Sequence, residues 1–595
     1  MTDMPWPAVA PEVVAEVVSA LSPRLQKRLD GAAAKLADRP IERTGDDWCL
    51  RIDDETVLVL HAPGGTVRTA DDVRCGCLLA PGCLHRAAAV TAAPLAAPVA
   101  DEPPTSATTT EVDEAPAEEE APLAPAEAEA VARLRRVAAD TLAAGISGAG
   151  SVQQAELLRT AHQARLLGLH RPAALAATVV TRLRAARAAE PDHRLADLAA
   201  AHRELLGATT VFTPGEVRAA ARQTYREAGS LRLYGLFAEP VVSATHAGVT
   251  VWVVDGDGRL ATVSDVTPHA DPTEAAQLAG AAAGRPVRLG DASLSHRDLA
   301  RAGLAVQNAT RSESGRLGAG AKVRAVRAAG ADWFEEPVAG LWAQPVPAQI
   351  ERALAARRIP QEHRPAGSDL LFLDVTVLGP GAVPGSPVPQ LLAACAGLTV
   401  ALLPAQDHPR LAFAANVAAL ASVPGLPLRV IGRLERAGHP RLRLLAAAPA
   451  PGRPGLSLPP EYRNRVSLGL ERLQRADLPA GSPGTPPPAA AFTPQPPLHL
   501  LTRPLEQAVT GGRRALTGRP PAEGHHLRAA GLGTAHHLLT ALRTAAADRQ
   551  RDVFGRLRTT DHLAFATAWL AAARYQEELS TALCTAGWAP WQPDQ

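Results

Sequence analysis

Four side chains of this chain have the types and spacing to hold a metal ion: Cys75, Cys77, Cys83 and His85, in the pattern C-x-C-x5-C-x-H. Zinc takes thiolate sulfur and imidazole nitrogen at about 2.0–2.3 Å, and four such donors close a tetrahedron with no position left open for a substrate. The chemistry this implies is structural: one Zn2+ as cofactor, and no catalytic residue at the site. The chain has only six cysteines, and the other three, Cys49, Cys395 and Cys584, stand alone. So few, so unevenly placed, do not make a disulfide framework, whereas three within nine positions mark a metal site. Cys49 falls in a strand-like run and reads as a buried core thiol.

The spacing dictates the elements that must position these donors. Residues two apart on a strand share a face, so Cys75 and Cys77 can point together, with Gly76 leaving the backbone room to tighten. Pro81-Gly82 then turns the chain and returns Cys83 across the ion. Cys83 and His85 cannot share a face inside a regular helix. That places Cys83 just before a helix and His85 in its first turn, the helix running from Leu84 to Thr91. Upstream, Trp48 to Ile52 and Thr56 to His61 alternate as a hairpin through Asp53-Asp54. Before them Val13, Val14, Val17, Val18, Leu21, Leu25 and Leu29 recur at helical steps, predicting one amphipathic helix from Pro11 to about Ala37.

The segment that these residues form resembles the SWIM-type zinc finger, whose signature is C-x-C, a variable spacer, then C-x-H. Trp48, the strand pair and the apolar helix after His85 fit that family's two-strands-then-helix layout, and the resemblance covers about residues 40–93. It implies a short zinc-pinned ββα module with Cys75, Cys77, Cys83 and His85 as ligands. It also implies a role in binding DNA or proteins, often in company with helicase-like ATPases or transposases.

At 595 residues the chain is too long for one core, and a multidomain α+β protein is expected. The N-terminal helix and finger occupy 1–93. Residues 94–126 read as a disordered acidic linker with recurrent proline. Leucines at helical spacing predict a helical bundle over 127–210. An α+β region of one or two domains follows over 211–478. Within it lie a hairpin around Asp255-Gly256-Asp257-Gly258, a helical stretch from Leu299 to Arg327, and strands from Leu370 onward. Residues 479–522 read as a Pro-rich linker and 523–595 as a helical C-terminal module.

Several function classes are disfavoured. The longest nearly uncharged apolar run, Leu391 to Pro404, is shorter than the ~20 residues a membrane helix needs, and the N-terminus lacks a basic segment before an apolar one. No membrane association and a cytoplasmic location are therefore expected. Gly315 to Lys322 lacks the lysine and hydroxyl placement of a phosphate loop, and reads as a glycine-rich loop before a helix. Leu370 to Asp374 has no such loop to serve. His525-His526 and His536-His537, eleven apart, read as solvated residues of one helix face. No nucleophile-elbow motif is present.

Charge separates the remaining readings. The formal net charge of +1 hides a split, because 101–130 holds ten acids and no base, leaving +11 on the rest. Residues 1–93 carry ten bases and thirteen acids, a balance of −3. Phosphate neutralisation supplies most non-specific nucleic-acid affinity, and an acidic module is poorly built for it. A non-catalytic adaptor docking a protein partner is thus the first expectation. DNA binding through the finger, or through Arg133, Arg135 and Arg136 or Arg513, Arg514 and Arg519, is the second. An enzyme with a site in 211–478 is the third.

Overall fold

The computed structural model describes residues 6–589 other than 54–55, 97–120, 191–192, 219–224, 244–245, 270–271, 319, 321, 361–362, 451–454, 482–483, 487, 490, 493, 519–522, 549–553 and 555–561. Most of the acidic stretch predicted to be disordered therefore lies outside the described residues. The described parts of 1–100, 110–221 and 496–578 form one compact unit, and those of 222–495 and 579–595 form a second.

The first unit opens with strand β1 (Ala8–Val9) and helices α1 (Pro11–Ser19), α2 (Pro23–Gln26) and α3 (Leu29–Ala37). The single helix predicted over this stretch is three, because Ser22 precedes Pro23 and is forced to an extended ψ of 152°. Strands β2 (Glu42–Thr44), β3 (Asp47–Arg51), β4 (Val57–His61) and β6 (Val73–Cys75) make an antiparallel sheet in the order β2-β3-β4-β6, while β5 (Thr66–Val67) pairs with β1. Trp48, Leu50, Leu58 and Leu60 are buried at alternate positions, the period of a strand with one covered face. Helix α4 (Leu84–Ala92) packs on α3 and β6.

Four helices then follow as a bundle: α5 (Pro125–Gly148), α6 (Ser151–Leu166), α7 (His170–Arg187) and α8 (Leu195–Ala208), with the short α9 (Pro214–Arg218) after them. The Cys3His segment is not separate from this bundle. Apolar residues of α1, α4 and α5 to α8 belong to one continuous core. Asp30 on α3 reinforces the contact: its Oδ1 accepts from the Ser151 N–H at 2.9 Å and from the Ser151 hydroxyl at 2.7 Å. A carboxylate there satisfies one of the orphan amides of the first turn of α6 and suits its positive end.

The second unit begins with β7 (Tyr225–Val242), β8 (His246–Asp255), β9 (Leu260–Pro268), α10 (Ala275–Gly284), α11 (His296–Leu299), β10 (Gly303–Ser312), β11 (Leu317–Gly318) and β12 (Arg324–Ala328). Its first sheet has the order β11-β10-β7-β8-β9, with β12 also on β10. The helix predicted from Leu299 to Arg327 is therefore wrong. Val306, Ala309 and Ala325 face a sheet core, and pairing of β10 with β7 and β12 overrides the local Ala and Arg preference. The Gly315 to Lys322 segment accordingly leads into β12, not into a helix. The Asp255 turn is the predicted hairpin: Asp255 Oδ1 accepts from the N–H groups of Asp257 and Arg259, and its other oxygen receives Arg311.

Helices α12 (Gly340–Ala343) and α13 (Val346–Ala356) lead to β13 (Leu370–Gly381), β14 (Gln390–Cys395), β15 (Leu398–Pro404), α14 (Phe413–Ala421), β16 (Pro427–Leu434), β17 (Arg441–Pro449) and β18 (Val466–Ser467). Here the sheet closes on itself. The ladders run β15-β14-β13-β16-β17 and β17 returns to pair with β15 in parallel. Counted from β13, that is the order 1-2-3-5-4 with a helix between the third and fourth strands, the connectivity of an OB-type barrel. The uncharged run Leu391 to Pro404 is its β14–β15 hairpin, turned by Ala396 and Gly397 at positive φ, and it is apolar because the barrel interior is. No described helix is long and apolar enough to cross a membrane.

The chain then returns to the first unit. Helix α15 (His499–Gly511) lies within the stretch predicted as linker, its Leu501, Leu505, Ala508 and Val509 buried at helical spacing. Helices α16 (Glu523–Ala529), α17 (Gly533–Ala547) and α18 (Leu563–Trp588) follow. Phe565 and Trp569 of α18 belong to the first unit's core, while Cys584 and Trp588 belong to a core of the second.

Candidate metal centre

Strand β6 ends at Cys75, opposite Leu58 of β4, and the Gly76 N–H donates to Val57 O at 3.0 Å one step beyond the ladder. Cys77 lies past the strand and opens a turn closed by the Ala80 N–H on Cys77 O at 3.1 Å. The strand argument thus holds for Cys75, while a turn aims Cys77. Neither Gly76 nor Gly82 is sterically required, since an added Cβ would meet backbone oxygen only at 3.6 and 3.7 Å. Cys83 is the N-cap of α4, its Sγ accepting from the Arg86 N–H at 3.5 Å, and His85 sits in the first turn, as the spacing predicted.

The four donor atoms converge: one from each of Cys75, Cys77, Cys83 and His85, all within 4.8 Å of one another. Cys75 Sγ and His85 Nδ1 stand 3.8 Å apart. Donors at zinc distances from a common centre would be separated by about 3.3–3.8 Å, so a small contraction completes a tetrahedron. Cys83 is buried and the other three are half-buried. Among the described residues no other group of three or more Cys, His, Asp or Glu is so gathered.

The thiols themselves call for a cation. Burial pushes Cys75 up to about 12, and burial likewise raises Cys83. Burial also opposes ionisation of Cys77, but the Leu79 N–H and the neighbouring Cys83 and Cys75 thiols outweigh it and bring Cys77 below its ordinary value. Burial works against ionisation of all three sulfurs. A divalent ion is what lets all three ionise at neutral pH.

Two features of this loop had no sequence signal strong enough to single them out. Arg86 is buried, yet its guanidinium donates only to carbonyls: Nε to Val73 O at 2.5 Å, Nη1 to Pro81 O at 2.5 Å and Nη2 to Ala70 O. Leu78 and Leu79, between the second and third cysteines, are 104% and 67% exposed. Such exposure is unusual for a leucine in a segment otherwise tied down on both sides.

The remaining candidates disperse. Cys49 is half-buried on β3 rather than in the core, and it is not among the gathered donors. Cys395 and Cys584 are buried singly, and burial holds Cys395 near about 11. Asp374 is occupied by Arg429, which grips it at 2.8 and 2.9 Å. His525 and His526 lie on α16 while His536 and His537 lie on α17, so they do not share one helix. No known family model matches the chain, and no curated protein or solved structure matches it either.

Proposed function

We propose that this chain is a non-catalytic adaptor that uses a zinc-pinned, SWIM-type loop to dock a protein partner. The observation that carries this reading is the pair Leu78 and Leu79, held exposed at the tip of the loop that Cys77 and Cys83 anchor. Closed four-donor coordination has no open position for chemistry, and its use is to fix a short loop that could not otherwise hold a shape. Two leucines on a fixed tip can fill an apolar pocket at little entropic cost. The balance of −3 over residues 1–93 favours a partner whose pocket is rimmed by Lys and Arg. The SWIM resemblance adds helicase-like ATPases and transposases as the company in which such a partner is sought.

The test is a pull-down from the native host with the tagged full-length chain. A partner recovered by wild type and lost by both Leu78→Ser/Leu79→Ser and Cys77→Ala supports the reading. Recovery that ignores both changes overturns it.

A second reading, nucleic-acid binding, is favoured by one observation. The barrel has a connectivity that elsewhere presents its second and third strands and adjacent loops to oligonucleotides. Fold alone does not carry function, however, and the groups here are engaged. Phe492 packs against Val383, Leu392 and Ala401, Gln495 holds Gly438 O at 2.7 Å, and Arg429 and Arg433 are paired with acids. It ranks second for those reasons.

A further inference from the structure

We propose that Arg86 is the positioning residue of the metal centre and that its buried guanidinium is the counter-charge of the metal–thiolate cluster. The inference rests on the zinc reading above. Its first ground is geometric. The guanidinium ties two separate limbs, because Val73 O precedes Cys75 by two residues and Pro81 O precedes Cys83 by two, while the Arg86 N–H itself donates to Cys83 Sγ. A planar fork fixes direction as well as distance, so one side chain sets the separation of two ligands before any ion arrives.

The second ground is electrostatic. A charge taken out of water is costly unless paired, yet among the described residues no carboxylate lies within ion-pair distance of Arg86, which is 7% exposed. Zn2+ with three thiolates and a neutral imidazole leaves one net negative charge. The guanidinium reaches carbonyls two residues before Cys75 and two before Cys83, so that charge and the guanidinium are a matched pair. The loaded site would supply the negative charge that pairs with Arg86.

The experiment measures zinc affinity of the full-length protein by competition with a chromogenic chelator. Arg184→Met serves as control, since Arg184 is a half-buried arginine of the same unit that donates to Ala93 O, at the other end of α4 from His85, and to Gln154 Oε1 on α6. Arg86→Met is expected to weaken zinc binding by about 10–100-fold, the usual effect of losing a partner that orients ligands. Arg86→Lys keeps the charge without the fork and is expected to lose about 5–10-fold. Arg184→Met is expected to lower thermal stability and leave zinc affinity unchanged.

Affinity of Arg86→Met within about threefold of wild type overturns the proposal, as does an equal loss in Arg184→Met. Arg86→Lys no tighter than Arg86→Met overturns the counter-charge. Should Arg86→Met fail to fold, Arg86→Lys decides alone, and wild-type affinity in it overturns the proposal. A wild-type protein that holds no zinc would instead defeat the underlying metal reading.

Discussion

The ring of His202 lies inside the first unit, 1% exposed and edge-on to Trp569 at 6.4 Å, and its Nδ1 has no hydrogen-bond partner among the described residues. Burial pulls its proton affinity from the ordinary 6.5 down to about 4. The unfolded chain thus binds a proton at this residue below pH 6.5 that the folded chain refuses until about pH 4. Stability contributed by the neutral ring is full above pH 6.5 and is lost as pH falls toward 4, in total by about 3 kcal/mol. Denaturant unfolding at pH 7 and pH 4.5 should show this loss in wild type, and His202→Leu should lessen it by one proton's worth. At the loop, Cys77→Ala should drop elemental zinc from one per chain to near zero; unchanged zinc would remove the Cys3His assignment. The gathering of these four donors was legible in sequence because donor type and spacing are local properties. Arg86 was not, since the carbonyls that receive it come from Ala70, Val73 and Pro81, and any residue type supplies a carbonyl.

Elements show the same division between local and distant causes. The turn at Asp255, the N-cap at Cys83 and the hairpin of β3 and β4 follow from residues within a few positions of one another. The β10 to β12 strands and the closure of the barrel do not, because each depends on a partner far along the chain, as when β15 meets β17. The break at Pro23 could have been read in advance, since the residue before a proline resists helix. Two contacts between elements can be weighed. Asp30→Ala removes the acceptor for both Ser151 groups and should cost about 1–2 kcal/mol in denaturant unfolding, the range for losing a helix cap. Gly512 sits at φ 65°, and an added Cβ would stand 2.1 Å from Ala143 O, while Gly145 opposite it has φ 67°. Gly512→Ala should therefore destabilise the first unit by at least about 2 kcal/mol, through left-handed strain and direct overlap with backbone that cannot give way. Wild-type stability in that variant would mean α5 and α15 do not approach as described.

Across the whole molecule, charge and connectivity set the expectations. The full chain should bind single- or double-stranded DNA no tighter than the ~10^-4 to 10^-6 M of non-specific contacts, with affinity falling steeply as salt rises. Cys83→Ala should not change it, and a fluorescence titration across salt concentrations reads this out. Tight binding abolished with the metal would promote nucleic acid over protein as the partner. The overall class of the fold was legible from leucine spacing and strand alternation, but the sharing of one core by α1, α4 to α8 and α15 to α18 was not, because nothing local announces it. That shared core has a consequence for how the protein is made. Ribosomes add about 5–20 residues per second, so the 280-odd residues between α9 and α15 take about 14–56 s to emerge. Throughout that interval the metal loop and the first bundle exist without the helices that complete their core. Nascent chains would then meet zinc, and any holdase, well before the first unit can close.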